Sequence, residues 1–207
     1  MASPEAPAPS TPAAAWSRLM AGNGRWVKGN LDHPDRDPDR RELLAMKQNP
    51  YCVVLSCIDS RVPPELLFDV GLGDLFVLRT GAQVMGPLVE ASAEYGPLTG
   101  GTPLIVVLGH QRCGAVIAAE EALRTGKALP GNLQEIALAL RPAYEQVRVS
   151  DQDRPDAMAR AQVRLVADRL RGNADLAPMV GEGRMAVVGA YYSLDTGEVE
   201  VLSGAPS

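Results

Sequence analysis

Four short apolar runs recur along the chain: YCVVLSC at 51–57, LFVLR at 75–79, PLIVVLGH at 103–110 and MAVVGAYY at 185–192. Each is rich in β-branched residues, too short for an ordinary helix, and lacks the in-out alternation of a half-solvated strand. Such runs suit strands covered on both faces. Helix-compatible segments lie between them, notably CGAVIAAEEAL at 113–123, NLQEIALALRPAYEQV at 132–147 and PDAMARAQVRLVADRLR at 155–171. This alternation predicts an α/β fold, a mainly parallel central sheet flanked by helices. After the last run, DTG at 195–197 signals a tight turn into EVEVL, whose alternation predicts an antiparallel edge strand.

A length of 207 residues suits one domain. Residues 1–12 are dominated by Pro, Ala and Ser and read as a flexible tail, leaving a single domain over 13–207 whose first part, 13–47, forms a helical arm. Within that arm Trp16, Leu19, Met20, Trp26 and Val27 fall at helical spacing, while Gly22 and Gly24 predict a broken or two-part helix. HPDRDPDR at 33–40 reads as an exposed loop, followed by a helix near 41–46. The net charge of −5 gives no reason to expect nucleic acid or an anionic membrane as partner. No run approaches the roughly 18 apolar residues of a membrane span, and the first residues lack the pattern of a secretory signal. Three cysteines are too few, and odd in number, for a disulfide scaffold, so a cytoplasmic, reducing location is expected.

The chemistry concentrates at two strand ends. Cys57-Ile58-Asp59-Ser60-Arg61 follows the first strand, and His110-Gln111-Arg112-Cys113 joins the third strand to a helix. Carboxyl ends of strands are where α/β folds place their sites, and a cysteine at a helix N-terminus is favoured as thiolate. Zinc accepts thiolate and imidazole, and three protein ligands with one open position make a catalytic rather than a structural site. Cys57, His110 and Cys113 match that count. His33, the only other histidine, sits in the charged loop and is not a convincing fourth ligand. Taken singly, each of the three is as readily an ordinary buried residue; their convergence on two strand ends argues otherwise. Cys52, inside the first strand, reads as a small buried hydrophobe.

These motifs, with GNGRWVKGN at 22–30, CIDSRVPPELLFDVGLGDLFVLRTGAQV at 57–84, EYGPLTGGTPLIVVLGHQRCGAV at 94–116 and GAYYSLDTGEVEVL at 189–202, resemble the beta-class carbonic anhydrases. The resemblance runs from Trp16 to nearly the end of the chain. It implies one Zn2+ per subunit held by Cys57, His110 and Cys113, and reversible hydration of carbon dioxide to bicarbonate. It further implies that Arg61 pairs with Asp59 and holds that carboxylate off the zinc, so that Asp59 orients the reacting water. If the pair breaks, Asp59 becomes a fourth ligand. Because side chains two apart in an extended segment point the same way, Cys57, Asp59 and Arg61 are expected to meet; a merely loop-fixing salt bridge is the alternative. Two thiolates would offset the formal charge of zinc, so activity is expected to rise toward alkaline pH.

By their offsets, Gln48, Phe76 and Tyr95 match the cleft residues of the plant-type subgroup, and Val54 stands where the other subtype has the tryptophan of a non-catalytic bicarbonate site. Without that match, a loop glutamine and two core aromatics would be the simpler reading. The resemblance also implies a homodimer built by the arm and by sheet continuation, with a homotetramer as the next level of assembly, and a cleft shared between subunits. Two departures stand near the cleft. Ile58 replaces a small residue and is expected to crowd the loop, and RTGAQ at 79–83 replaces arginine-asparagine-alanine-glycine-asparagine. Carbonyl sulfide or carbon disulfide hydrolysis, and a zinc-binding regulatory protein with weak catalysis, remain alternatives.

Overall fold

The computed structural model describes residues 8–147 and 153–206. In chain order the elements are α1 (Pro12–Lys28), α2 (Pro38–Leu44), β1 (Cys52–Cys57), α3 (Pro64–Leu67), β2 (Leu75–Thr80), a single 3-10 turn (Gly81–Gln83), α4 (Pro87–Gly100), β3 (Leu104–His110), α5 (Gly114–Thr125), α6 (Leu133–Gln146), α7 (Arg154–Arg171), α8 (Ala177–Gly181), β4 (Ala186–Tyr192) and β5 (Val199–Ser203). Most of the tail expected at 1–12 lies outside the described residues. Its end belongs to the fold: Thr11 caps α1 by accepting from the Ala14 N–H at 3.3 Å, and Pro12 occupies the first turn, where a missing N–H costs nothing.

Among the described residues the sheet has five strands in the order β2-β1-β3-β4-β5. The first four run parallel and β5 is antiparallel to β4, as the alternation of EVEVL predicts. Every residue of β1 and of β3 is buried, which explains their uninterrupted apolar sequences. On one face Cys52, Val54, Leu104 and Val106 pack with Leu19, Phe68 and Leu140; on the other Val53, Leu55, Ile105 and Val107 meet Val163, Val166 and Leu170 of α7. Strand order reverses at β1: β2 lies on one side of it and β3 on the other. The carboxyl ends of β1 and β3 therefore flank the crevice in which such sheets bind ligands. No helix among the described residues is long and apolar enough to cross a membrane.

α1 is one continuous helix, contrary to the break expected at its glycines. Gly22 is there for close approach: a Cβ at this position would lie 1.7 Å from the Phe68 carbonyl oxygen and 2.7 Å from its carbon, whereas one at Gly24 would meet nothing within 4 Å. The two substitutions should thus act oppositely. Gly22→Ala is expected to destabilise by about 3 kcal/mol or more, since backbone must move. Gly24→Ala is expected to stabilise by about 1 kcal/mol through helix propensity. Urea unfolding of the two variants beside the parent checks both signs. The neighbouring Asn23 is buried and ties three segments together, donating to the carbonyls of Leu67 (3.2 Å) and Gly197 (2.9 Å) and accepting from the Val199 N–H (3.0 Å).

α2 begins at Pro38, earlier than the helix expected near 41, because Asp37 caps it by accepting from the Arg40 N–H at 2.8 Å.

Candidate metal centre

Cys57 closes β1, His110 closes β3, and Cys113 precedes α5 as its N-cap residue, so two adjacent central strands and one helix deliver the three side chains to one point. All three are buried, and their ligand atoms lie within 4.8 Å of one another. The two sulfurs are 3.8 Å apart. Two zinc–sulfur bonds of about 2.3 Å meeting at the tetrahedral angle require sulfurs about 3.8 Å apart, so the spacing fits the ion. The imidazole is prepared for the same role. Nδ1 lies 3.0 Å from the Gln111 carbonyl, a partner for its N–H, and Nε2 is buried without a hydrogen-bond partner. A buried ring nitrogen left in this way is costly unless a metal uses its lone pair.

The electrostatics also favour a cation. Hydrogen bonding from Cys113 holds the Cys57 thiol far below the ordinary thiol range, against the opposing effect of burial and with help from His110 and the N–H groups of Ala82 and Asp59. Cys113 is correspondingly pushed up by Cys57 and by burial, so between them the two thiols keep one proton. Arrival of a divalent cation would release it. Cys52, by contrast, is fully buried with its thiol raised by desolvation, as expected of a small hydrophobe.

Asp59 and Arg61 meet beside this group, but not through an extended segment. The chain turns at 59–62, with the Val62 N–H donating to the Asp59 carbonyl at 3.1 Å and the Arg61 N–H to Asp59 Oδ1 at 3.0 Å. This Asx-type turn brings the guanidinium back onto the carboxylate, Nε to Oδ1 at 2.9 Å and Nη2 to Oδ2 at 2.7 Å. Alternation along a strand was thus the wrong geometry for the right neighbours. Arg61 keeps the Asp59 carboxyl well below the usual carboxylate range. Asp59 Oδ2 lies 3.9 Å from His110 Nε2, and Arg61 also donates to the Arg112 carbonyl at 3.1 Å.

Arg79 is a contributor that sequence reasoning passed over. Its Nε donates to the Cys57 carbonyl at 2.8 Å and its Nη2 to the Asp59 carbonyl at 2.6 Å, pinning the backbone between a ligand and the carboxylate. The available signal was a lone cation ending an apolar strand run. The rest of the RTGAQ segment supports the same loop in a left-handed backbone, Ala82 at φ 52° and Gln83 at φ 54°. Side chains other than glycine cost roughly 1–2 kcal/mol each there. Ala82 occupies the place of the glycine in the commoner pattern, so the conformation that aims its N–H at Cys57 survives the replacement. Ile58 does not crowd the loop: its N–H donates to the Thr80 carbonyl at 3.1 Å and its side chain points outward, 63% exposed.

Gln48, Phe76 and Tyr95 are not gathered at the ligands of their own chain. Phe76 pairs in register with Val53, four residues up the strand from the Cys57–Thr80 pair, about 13 Å at the rise of a strand. Tyr95 stands edge-on to Phe76 with ring centroids 5.7 Å apart. Gln48 is exposed and lines a surface cavity of about 420 Å³ with Arg41, Met46 and Leu72.

An α/β sheet with a buried two-cysteine, one-histidine group at its switch point defines a metal-dependent enzyme of the catalytic-zinc type. Residues 52–199 match the family model described as carbonic anhydrase. The chain is 39% identical to carbonic anhydrase 2 of Mycobacterium tuberculosis over 189 residues, 91% of each chain. It is 40% identical to a carbonic anhydrase of Mycolicibacterium smegmatis over 195 residues, 94% of this chain and 95% of that one. A structure described as one of two tetrameric beta-carbonic anhydrases from Sordaria macrospora superposes with a TM-score of 0.72 at 22% identity, covering 92% of this chain and 98% of the other. The chain belongs to the carbonic anhydrase family, and its fold is that of the beta class.

Proposed function

We propose that this protein is a carbonic anhydrase catalysing the reversible hydration of carbon dioxide to bicarbonate at a zinc ion held by Cys57, His110 and Cys113. The observation that carries the reading is the ligand triad with an arginine-clamped carboxylate beside it: two sulfurs 3.8 Å apart, an unpartnered buried Nε2, and Asp59 gripped at both oxygens by Arg61. When bound, zinc would act as a Lewis acid and lower the pKa of a water. Asp59 supplies orientation: with its lone pairs partly used by Arg61 and its pKa depressed, it stays ionised and accepts a hydrogen bond from the nucleophile. Arg61 keeps that carboxylate out of the ligand group, and Arg79 fixes the peptide between Cys57 and Asp59.

Gln48, Phe76 and Tyr95 serve as cleft residues for the site of a second copy, and with buried Val54 they favour the plant-type subgroup. Their distance from the ligands of their own chain supports this sharing. So does the edge strand β2, half-buried along its whole length, next to a face of α4 that exposes Leu88, Tyr95 and Leu98. A homodimer formed across this edge covers the apolar surface and completes the cleft, and tetramers are the next level of assembly. Residues 13–207 act as one domain, and the three unpaired thiols suit the cytoplasm.

Stopped-flow measurement of carbon dioxide hydration by the zinc-loaded protein tests the reading. Activity should rise between about pH 6 and 9, because two thiolates leave the metal a weak acidifier. A profile flat over that range, or sulfide release from carbonyl sulfide outrunning hydration in the same sample, would overturn it.

A further inference from the structure

We propose that Asp195, on the turn between β4 and β5, is a positioning residue for the metal centre: it clamps the two residues that separate His110 from Cys113. This inference rests on the zinc-site reading above. The carboxylate receives three hydrogen bonds from that link. Gln111 Nε2 donates to Oδ2 at 2.9 Å, Arg112 Nη1 to Oδ2 at 3.0 Å and Arg112 Nη2 to Oδ1 at 2.7 Å. Gln111 is gripped from its other side as well. Its Oε1 accepts from the Leu194 N–H at 3.1 Å, and its own N–H donates to the Tyr192 carbonyl at 3.0 Å.

The clamp matters because the link is strained. Arg112 has φ 52°, a left-handed conformation that a side chain as large as arginine adopts only when its surroundings impose it. The bidentate pair to Asp195 is the contact that imposes it, and the carbonyl of this same strained residue accepts the Arg61 hydrogen bond at 3.1 Å. One turn therefore sets the ligand His110, the ligand Cys113 and the anchor of the arginine that clamps Asp59. The turn is itself held. Ser193 N–H donates to the Glu198 carbonyl at 2.9 Å, and buried Asn23 of α1 accepts from Val199 and donates to Gly197. An exposed ion pair contributes little as a rule; this one differs because it grips a strained peptide between two ligands and is backed by a buried anchor.

The test uses the full-length zinc-loaded protein with Asp195→Ala, Asp195→Asn and Arg112→Gly, and with Glu182→Ala as a control that breaks an exposed ion pair elsewhere. Zinc transfer to a chromogenic chelator, the visible spectrum of the cobalt-substituted protein, and hydration kinetics are recorded for each. Asp195→Ala should release zinc about 10–100-fold faster and shift the cobalt bands. Asp195→Asn, which keeps an acceptor, should fall between Asp195→Ala and the parent, and Glu182→Ala should match the parent. Arg112→Gly removes the strain together with the clamp and should release zinc more slowly than Asp195→Ala. Zinc release within about twofold of the parent and an unchanged cobalt spectrum for Asp195→Asn, the variant that best keeps the fold, would overturn the inference. A parent that retains zinc but does not hydrate carbon dioxide would overturn the functional reading instead, leaving the clamp to be judged on metal release.

Discussion

Cys113→Ala is expected to abolish zinc retention and with it all hydration activity, while the fold survives. Structural zinc sites of four ligands are worth about 10–16 kcal/mol, so one ligand carries roughly 2.5–4 kcal/mol, or about two to three orders of magnitude in affinity. Survival of the fold follows from position. Cys113 stands at the N-cap position of α5, outside any strand, and the neighbouring strands β1 and β3 are buried along their whole length. Metal content after gel filtration, measured beside a thermal unfolding curve, separates loss of the metal from loss of the protein. Parent-level zinc in the variant would remove Cys113 from the ligand set.

The second large effect is expected at Asp59. Asp59→Asn keeps the size of the side chain and one acceptor oxygen but loses the charge that holds Arg61 in a two-point grip. Turnover should fall by about 10²–10³-fold with zinc content unchanged, the signature of an interaction that counts in the transition state rather than in metal binding. Were Asp59 only fixing the loop, turnover would barely change, because the turn has its own Val62 to Asp59 backbone bond and Arg79 holds the adjoining carbonyls. Comparing kcat with zinc stoichiometry on one preparation distinguishes the two.

Much of this architecture is legible along the chain, and the exceptions have physical causes. β1 and β3 read clearly because burial on both faces demands continuous apolar residues, and α5, α6 and α7 read clearly from their length and periodicity. α4 escapes notice because Pro87, Gly96, Pro97 and Gly100 look like turn residues. Gly96 is there for packing, since a Cβ would come within 2.9 Å of the Phe76 ring and 2.8 Å of Thr102. Gly22 misleads for the same reason: close approach to Phe68 is a tertiary fact that local propensity does not carry. At the site, the ligand triad is legible because metal chemistry restricts residue type and spacing. The Asp59–Arg61 pair is foreseeable as a pair but not as a turn. Arg79 acts across 20 and 22 residues and Asp195 across 83 and 84, through backbone carbonyls and a docked hairpin, and their residue types alone do not name those partners.

Two sulfurs and one imidazole around a single zinc can be read from X-ray absorption at the zinc edge of the purified protein. One zinc per chain is expected, with two sulfur neighbours at about 2.3 Å and the remaining neighbours nitrogen or oxygen at about 2.0–2.1 Å. A shell of four sulfurs, or one without sulfur, would rule that ligand set out.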